Sequence, residues 1–316
     1  MILIPLLSLL LVGVASAQTF PTKPIRIIVP FAPGGANDLV TRLVAQRLSI
    51  GVGQAVVVEN RGGAGGTIGL DACAKSPPDG YTLVMAPTSA VAFAPSLNAN
   101  LPYDPVRDFA AVTSVSSGPN VLVVHPSVPV ATVKDFIALA RSKSGKLSYA
   151  SSGATSMSGM AAAMFQSMAR IEMVGVPYKG TGPAMTDLIG GQVDLMIADL
   201  AISLPHVNTK RLRAIAVTGT RRSPQFSQLP TVAESGLPGY ALVNWRGILA
   251  PAATPREVVV KLNLEIIKTL RTQDILDTLT REGFEAIGDT PEQFSALIKS
   301  EVERYRRLIK AAGISG

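Results

Sequence analysis

The chain has 316 residues, 47% of them hydrophobic and 16% charged, enough to bury one large or two medium cores and too apolar for an intrinsically disordered protein. Its net charge of +7 suits an anionic partner, but aromatic residues make up only 5% and basic residues are scattered, so no stacking platform for nucleic acid is in view. A single cysteine, Cys73, excludes an intrachain disulfide and a cysteine-based metal cluster, and its neighbours mark it as a small core residue.

The first seventeen residues pair an apolar run, too short for a membrane span, with Ala15-Ser16-Ala17, the small-x-small pattern cut by signal peptidase. They predict an N-terminal leader at 1–17, cleavage after Ala17 and an exported mature chain. Next comes a β-branched strand at 25–29, a helix at 37–49, a strand at 55–58, a helix at 67–75 and a strand at 82–86. A loop is then expected up to a strand at 121–124.

A second series follows, with helices at 134–143, 157–170 and 183–190 alternating with strands at 147–150, 173–176, 193–198 and 212–217. The tail reads as helices at 255–271, 273–282 and 291–312. The alternation predicts an α/β protein of two lobes with largely parallel sheets. The Ser117-Gly118-Pro119-Asn120 and Leu237-Pro238-Gly239-Tyr240 segments are the expected crossings, giving one lobe from 18–120 plus 241–316 and the other from 121–240.

Chemistry is sought at the strand ends, because ligands of open α/β sheets sit beyond the carboxyl ends of strands. The leading candidate is Phe31-Ala32-Pro33-Gly34-Gly35-Ala36-Asn37-Asp38, a glycine turn between a strand and a helix. Such a turn leaves N–H groups free at the positive end of the helix dipole, a seat for a carboxylate. Further loops are Glu59 to Thr67, Ala86-Pro87-Thr88-Ser89 and Ser151-Ser152-Gly153-Ala154-Thr155-Ser156, the last expected on the opposite lobe. Arg61 and Lys179 are the nearest optional cations.

Enzyme motifs fail on spacing. Gly145-Lys146 is followed by Leu147, so there is no P-loop; no third glycine completes a dinucleotide fingerprint; and no G-x-S-x-G elbow exists. The two histidines, His125 and His206, lie outside any metal-binding motif. Asp194 and Asp199 could form an acid–base pair, although one such residue commonly caps a turn while the other faces a cleft.

Several motifs stand in order along the chain: Pro-x-Lys-Pro-Ile (21–25), Val-Pro-Phe-Ala-Pro-Gly-Gly-Ala-Asn-Asp (29–38), Val-Glu-Asn-Arg-Gly-Gly-Ala-Gly-Gly (58–66) and Pro-Asp-Gly-Tyr-Thr-Leu (78–83). They continue with Leu-Pro-Tyr-Asp-Pro-x-x-Asp-Phe (101–109), Val-Pro-Tyr-Lys-Gly-Thr-Gly-Pro-Ala (176–184), Gly-Gly-Gln-Val-Asp-Leu-Met (190–196), Leu-Pro-Thr-Val-Ala-Glu-Ser-Gly (229–236) and Trp245-Arg246-Gly247. Together they resemble the Bug-type solute receptors of tripartite tricarboxylate transporters over nearly the whole mature chain.

The resemblance implies a two-lobed periplasmic-binding-protein fold of type II, a Venus flytrap whose lobes each carry a mixed, mostly parallel sheet flanked by helices. It implies a periplasmic monomer that closes on a small organic carboxylate (a di- or tricarboxylate, acidic amino acid or aromatic acid) and presents it to two integral-membrane subunits, with no cofactor, metal or catalysis. Carried over by position, the ligand-binding set is Phe31, Ala32, Pro33, Gly34, Gly35, Ala36, Asn37 and Asp38, with Thr88, Ser89, Gly153, Ala154, Thr155, Ser156, Lys179 and Asp199. Thr155 and Gly159 replace the glycine and histidine usual in the family's second-lobe loop, which points to a different distal pocket. Two rival readings are an exported hydrolase or isomerase using Asp199 and Ser156, and a ligand-presenting partner of a membrane sensor.

Overall fold

A computed structural model describes residues 20–153, 155–311 and 313–314. The expected leader and its cleavage site therefore lie outside the described residues, as does Ala154. In chain order the elements are β1 (Ile25–Val29), α1 (Ala36–Val52), β2 (Val56–Asn60), α2 (Thr67–Ala74), β3 (Thr82–Pro87), α3 (Ala94–Leu97), β4 (Phe109–Val124), α4 (Val133–Ser142) and β5 (Ser148–Ser151). They continue with α5 (Met157–Ala169), β6 (Val174–Pro177), α6 (Thr181–Ile189), β7 (Leu195–Asp199), α7 (Leu200–Asn208) and β8 (Arg213–Val217). The tail holds β9 (Val243–Pro251), α8 (Arg256–Leu270), α9 (Gln273–Arg281), β10 (Glu285–Ala286) and α10 (Pro291–Ala311).

The strands run β2-β1-β3-β9-β4-β7-β5-β6, with β8 and β10 also paired to β4. β1 lies parallel to β2 and β3, and β5 parallel to β6 and β7. The pairings become antiparallel where β4 and β9 enter. β1 is buried at four of its five positions, as befits a strand covered on both faces.

β4 joins the two halves. Its first part, Phe109 to Pro119, pairs with β9, and its last part, Asn120 to Val124, pairs with β7. The sequence predicts a loop from 87 to 120. In its place stand a π-helical turn at Ser89–Phe93, α3 and most of β4. The serines, Gly118 and Pro119 that suggest a loop hold a strand because pairing with β9, joined by β10 at Ser116 and Ser117, satisfies its backbone. β9 and α7 likewise arise where no element was expected, and α7 carries Pro205 inside it.

Each half has its own apolar core. Ile25, Ile27, Val40, Val44, Leu83 and Ile248 pack with Leu262, Ile266 and Leu279 of α8 and α9. On the other side Val121, Val123, Ala150, Leu188, Met196 and Val217 form a separate cluster. α10 spans both. Phe294 and Ile298 pack beside Trp245, whereas Tyr305 and Ile309 join the cluster of Leu122, Phe136 and Phe165.

Candidate functional site

β1 ends at Val29, and the chain turns through residues 30–35 into α1. Gly34 takes φ +85°, left-handed backbone that glycine adopts without strain. Asp38, buried one turn into α1, pins this loop: it accepts from the Gly34 amide at 3.1 Å, Arg42 Nε at 3.0 Å and Asn60 Nδ2 at 2.9 Å. Burial pushes its carboxyl pKa up, but these bonds from Arg42, Asn60 and Gly34 outweigh burial and hold it below the usual carboxylate value. Asn60 Nδ2 also donates to Phe31 O at 3.1 Å, tying the loop to the end of β2.

The N-cap of α1 is Gly35, which supplies no side-chain bond to the first turn. The N–H groups there are left to face the cleft, with the positive end of the dipole behind them. Directly opposite is the start of α6. A Cβ on Gly35 would lie 3.4 Å from Thr181 Cβ, and the N-cap of α6, Gly180, likewise makes no side-chain bond. The Ala32 amide donates to Lys179 O at 3.3 Å, a main-chain bond between the two walls.

Ser89, Ser152, Ser158, Asn120, Asp199 and Asn244 complete the polar lining, and Phe31, Met157 and Met196 add apolar surface. The cavity is about 20 Å³, room for roughly one water. Beside it, sharing Ser152, a wider cavity of about 450 Å³ lies between Gly63–Gly65, Leu97, Thr155, Pro177 and Lys179. The lobes are drawn together here: a Cβ on Gly65 would fall 2.0 Å from Thr155 Oγ1.

Under the cleft floor lies the fully buried Arg246 of β9. Its Nη2 donates to Asp199 Oδ1 at 2.6 Å, Nε to Asn37 Oδ1 at 3.2 Å and Nη1 to Ser116 Oγ at 3.3 Å. The guanidinium also lies 4.6 Å from the Phe284 ring centroid. Asn244 Nδ2 donates to the same Asp199 oxygen at 3.0 Å. A charge this deep is tolerated because it is paired and bonded in several directions.

Of the residues expected at the site, Phe31, Gly35, Ala36, Asn37, Ser89 and Asp199 line the narrow cavity, while Gly153, Thr155 and Lys179 line the wider one. Pro33 and Gly34 are exposed, and Ala32 contributes its backbone bond. Thr88 is occupied with both backbone groups of Trp245, at 2.8 and 2.9 Å, and Ser156 caps α5 through the Gly159 amide at 3.2 Å. Arg61 is paired with Glu59 at the surface, and Asp194 accepts from the Ser148 amide at 2.7 Å. Ser152, in one of the candidate loops, lines both cavities, whereas sequence reasoning missed Asn120, Ser158, Thr181, Asn244 and Arg246 as site residues. An arginine between Trp245 and Gly247, in a run that proves to be a strand, is the signal that could have exposed the last. Among the described residues no group of three or more His, Cys, Asp or Glu is placed to hold a metal ion, and no helix is long and apolar enough to cross a membrane.

Solved structures share this arrangement. The periplasmic binding protein BugD superposes with a TM-score of 0.91 at 34% identity, covering 94% of this chain and 99% of its own. Rpa4515 of R. palustris, solved with adipate, gives 0.90 at 36% identity over 94% and 99%. MatC of Rhodopseudomonas palustris, solved with malate, gives 0.87 at 31% identity over 92% and 100%. Two α/β lobes joined through β4 and β9 and closing on a polar cleft thus define a periplasmic solute-binding receptor of the Venus-flytrap type. The profile of the tripartite tricarboxylate transporter family receptor matches residues 40–314, and the chain belongs to that family of solute receptors.

Proposed function

We propose that the chain captures a small organic carboxylate between its lobes and delivers it to the two integral-membrane subunits of a tripartite tricarboxylate transporter. The observation that carries this reading is the uncapped N-terminus of α1 facing the uncapped start of α6 at Thr181, with serine hydroxyls beside them. Micromolar binding needs about −8 kcal/mol, and hydrogen bonds to a charged group give roughly 1.5–3 kcal/mol each, so a few N–H and hydroxyl donors suffice without an arginine in contact. Adipate and malate in the related structures support the same ligand class. The narrow cavity means that the lobes part to admit the ligand and close again over it.

In this reading one lobe comprises 18–120 plus 241–316 and the other 121–240. The switch of β4 partners between Pro119 and Asn120 supports that division. The mature protein starts at Gln18 and works as a monomer in the periplasm. The test is a thermal-shift screen of the mature protein, stripped of ligand by partial unfolding and dialysis, against dicarboxylates, citrate, acidic amino acids and aromatic acids. A ligand at a hundred times its dissociation constant adds about 2.7 kcal/mol, several degrees in a protein of this size. Silence from every carboxylate, with the fold intact, would overturn the proposal.

A further inference from the structure

Two amide oxygens in the cleft have no donor. Asn120 and Asn244 are only 2% and 3% exposed, both line the narrow cavity, and the Oδ1 of each is buried without a hydrogen-bond partner. They adjoin one another through Asp199, which is in register with Asn120 across β4 and β7 and accepts from Asn244 Nδ2 at 3.0 Å. That last bond fixes the Asn244 amide, because flipping it would set its oxygen against a carboxylate oxygen. Buried acceptors in native proteins are rarely left unpaired, and two side by side in a ligand cavity call for a donor from the ligand.

We infer that the ligand is a hydroxylated carboxylate, its carboxylate at the α1 and α6 helix starts and its hydroxyl donating to Asn120 Oδ1 or Asn244 Oδ1. This rests on the carboxylate-receptor reading above and narrows it. A second carboxylate cannot serve this corner, since it brings only acceptors. An ammonium is disfavoured by charge: Asp199 is already paired with Arg246 at 2.6 Å, so the corner is neutral and a further cation would lie uncompensated near a buried guanidinium. A hydroxyl is a neutral donor, and two vicinal hydroxyls would supply both oxygens.

The test is calorimetric titration of the stripped mature protein with succinate, malate, tartrate and aspartate, which share a four-carbon dicarboxylate frame and carry no hydroxyl, one hydroxyl, two hydroxyls and an ammonium. Malate or tartrate is expected to bind at least about tenfold more tightly than succinate and than aspartate, the size of one recovered hydrogen bond. Asn120→Ala, which leaves the backbone bond from residue 120 to Thr218 Oγ1 in place, should reduce that preference by about tenfold. Asn244→Ala serves as a second variant, and an unchanged circular dichroism spectrum certifies the fold of each. Succinate binding as tightly as malate and tartrate, or aspartate binding most tightly, overturns the inference and leaves the carboxylate receptor standing. If none of the four binds, the inference also falls, and the receptor reading falls with it only when the wider carboxylate screen is silent as well.

Discussion

Arg246 on β9 and Asp199 at the end of β7 belong to opposite halves of the sheet, yet their side chains meet at 2.6 Å in the buried floor of the cleft. The pair therefore links the lobes by charge where β4 links them by backbone. Removing one partner strands the other in a low-dielectric setting. Arg246→Met should lower unfolding free energy by about 3–5 kcal/mol, measured by urea denaturation, and adding Asp199→Asn should recover part of the loss. A single variant within about 1 kcal/mol of the parent would deny the pair this role.

Gly34 and Gly35, adjacent in sequence, are expected to fail differently. Nothing crowds a Cβ on Gly34, but its φ of +85° is unfavourable for other residues, so Gly34→Ala should cost about 1–2 kcal/mol of stability with modest effect on affinity. Gly35 has an ordinary φ of −94°, but a Cβ added there would lie 3.4 Å from Thr181 Cβ across the cleft. Gly35→Val should hold the lobes apart, weakening carboxylate binding more than tenfold, about 1.4 kcal/mol, with the ligand-free melting temperature little changed. Calorimetry and thermal melts on both variants separate the two effects.

The closest approach of the outer walls offers a compensation test. Gly65→Ala places a methyl group into Thr155 Oγ1, at 2.0 Å, and should impair closure and ligand affinity. Thr155→Gly in the same chain removes the obstacle and should restore most of the affinity, leaving the backbone penalty at φ +66° as a residual loss of stability. Additive losses in the double variant would mean that the two residues do not meet in the closed form.

Asp38 predicts a pH dependence. Its folded pKa lies below the usual carboxylate value, so the stability it contributes is present above that value and is lost as pH falls through the lower, folded one. Melting temperatures of the parent and of Asp38→Asn should differ by a constant amount from about pH 7 to pH 5 and converge towards about pH 3. A gap that widens on acidification would contradict the pinning role given to this carboxylate.

Much of the first lobe's frame was legible because its signals are local. β1 falls where the β-branched run predicted it, α1 begins just past the paired glycines, and α8 to α10 follow their turn signals. The glycine turn ahead of α1 was legible for the same reason, since glycines ahead of a helix fix both the turn and its free N–H groups. Other lining residues of the cleft were not. Asn120, Thr181 and Asn244 lie far apart in sequence, in Ser-, Gly- and Pro-rich stretches whose composition suggests loops, and only strand pairing brings them to one cavity. Arg246 stands in the sequence only as part of the Trp245-Arg246-Gly247 motif, because the fold alone brings it its partners, Asp199, Asn37 and Ser116.

The passage of β4 from one half of the sheet to the other has a consequence for how the protein works as a machine. Its ladder with β9 carries irregularities between Ala111 and Thr113 and between Ser114 and Ser116, and its ladder with β8 carries another between Leu122 and Val123. Those local bends lie on both sides of Pro119, so the lobes can swing by twisting a continuous ribbon without unzipping it. Opening then resembles winding a torsion spring: the ladders of β4 stay whole while the Ala32–Lys179 main-chain bond across the cleft breaks, and contacts to a small solute bear on which position the receptor holds.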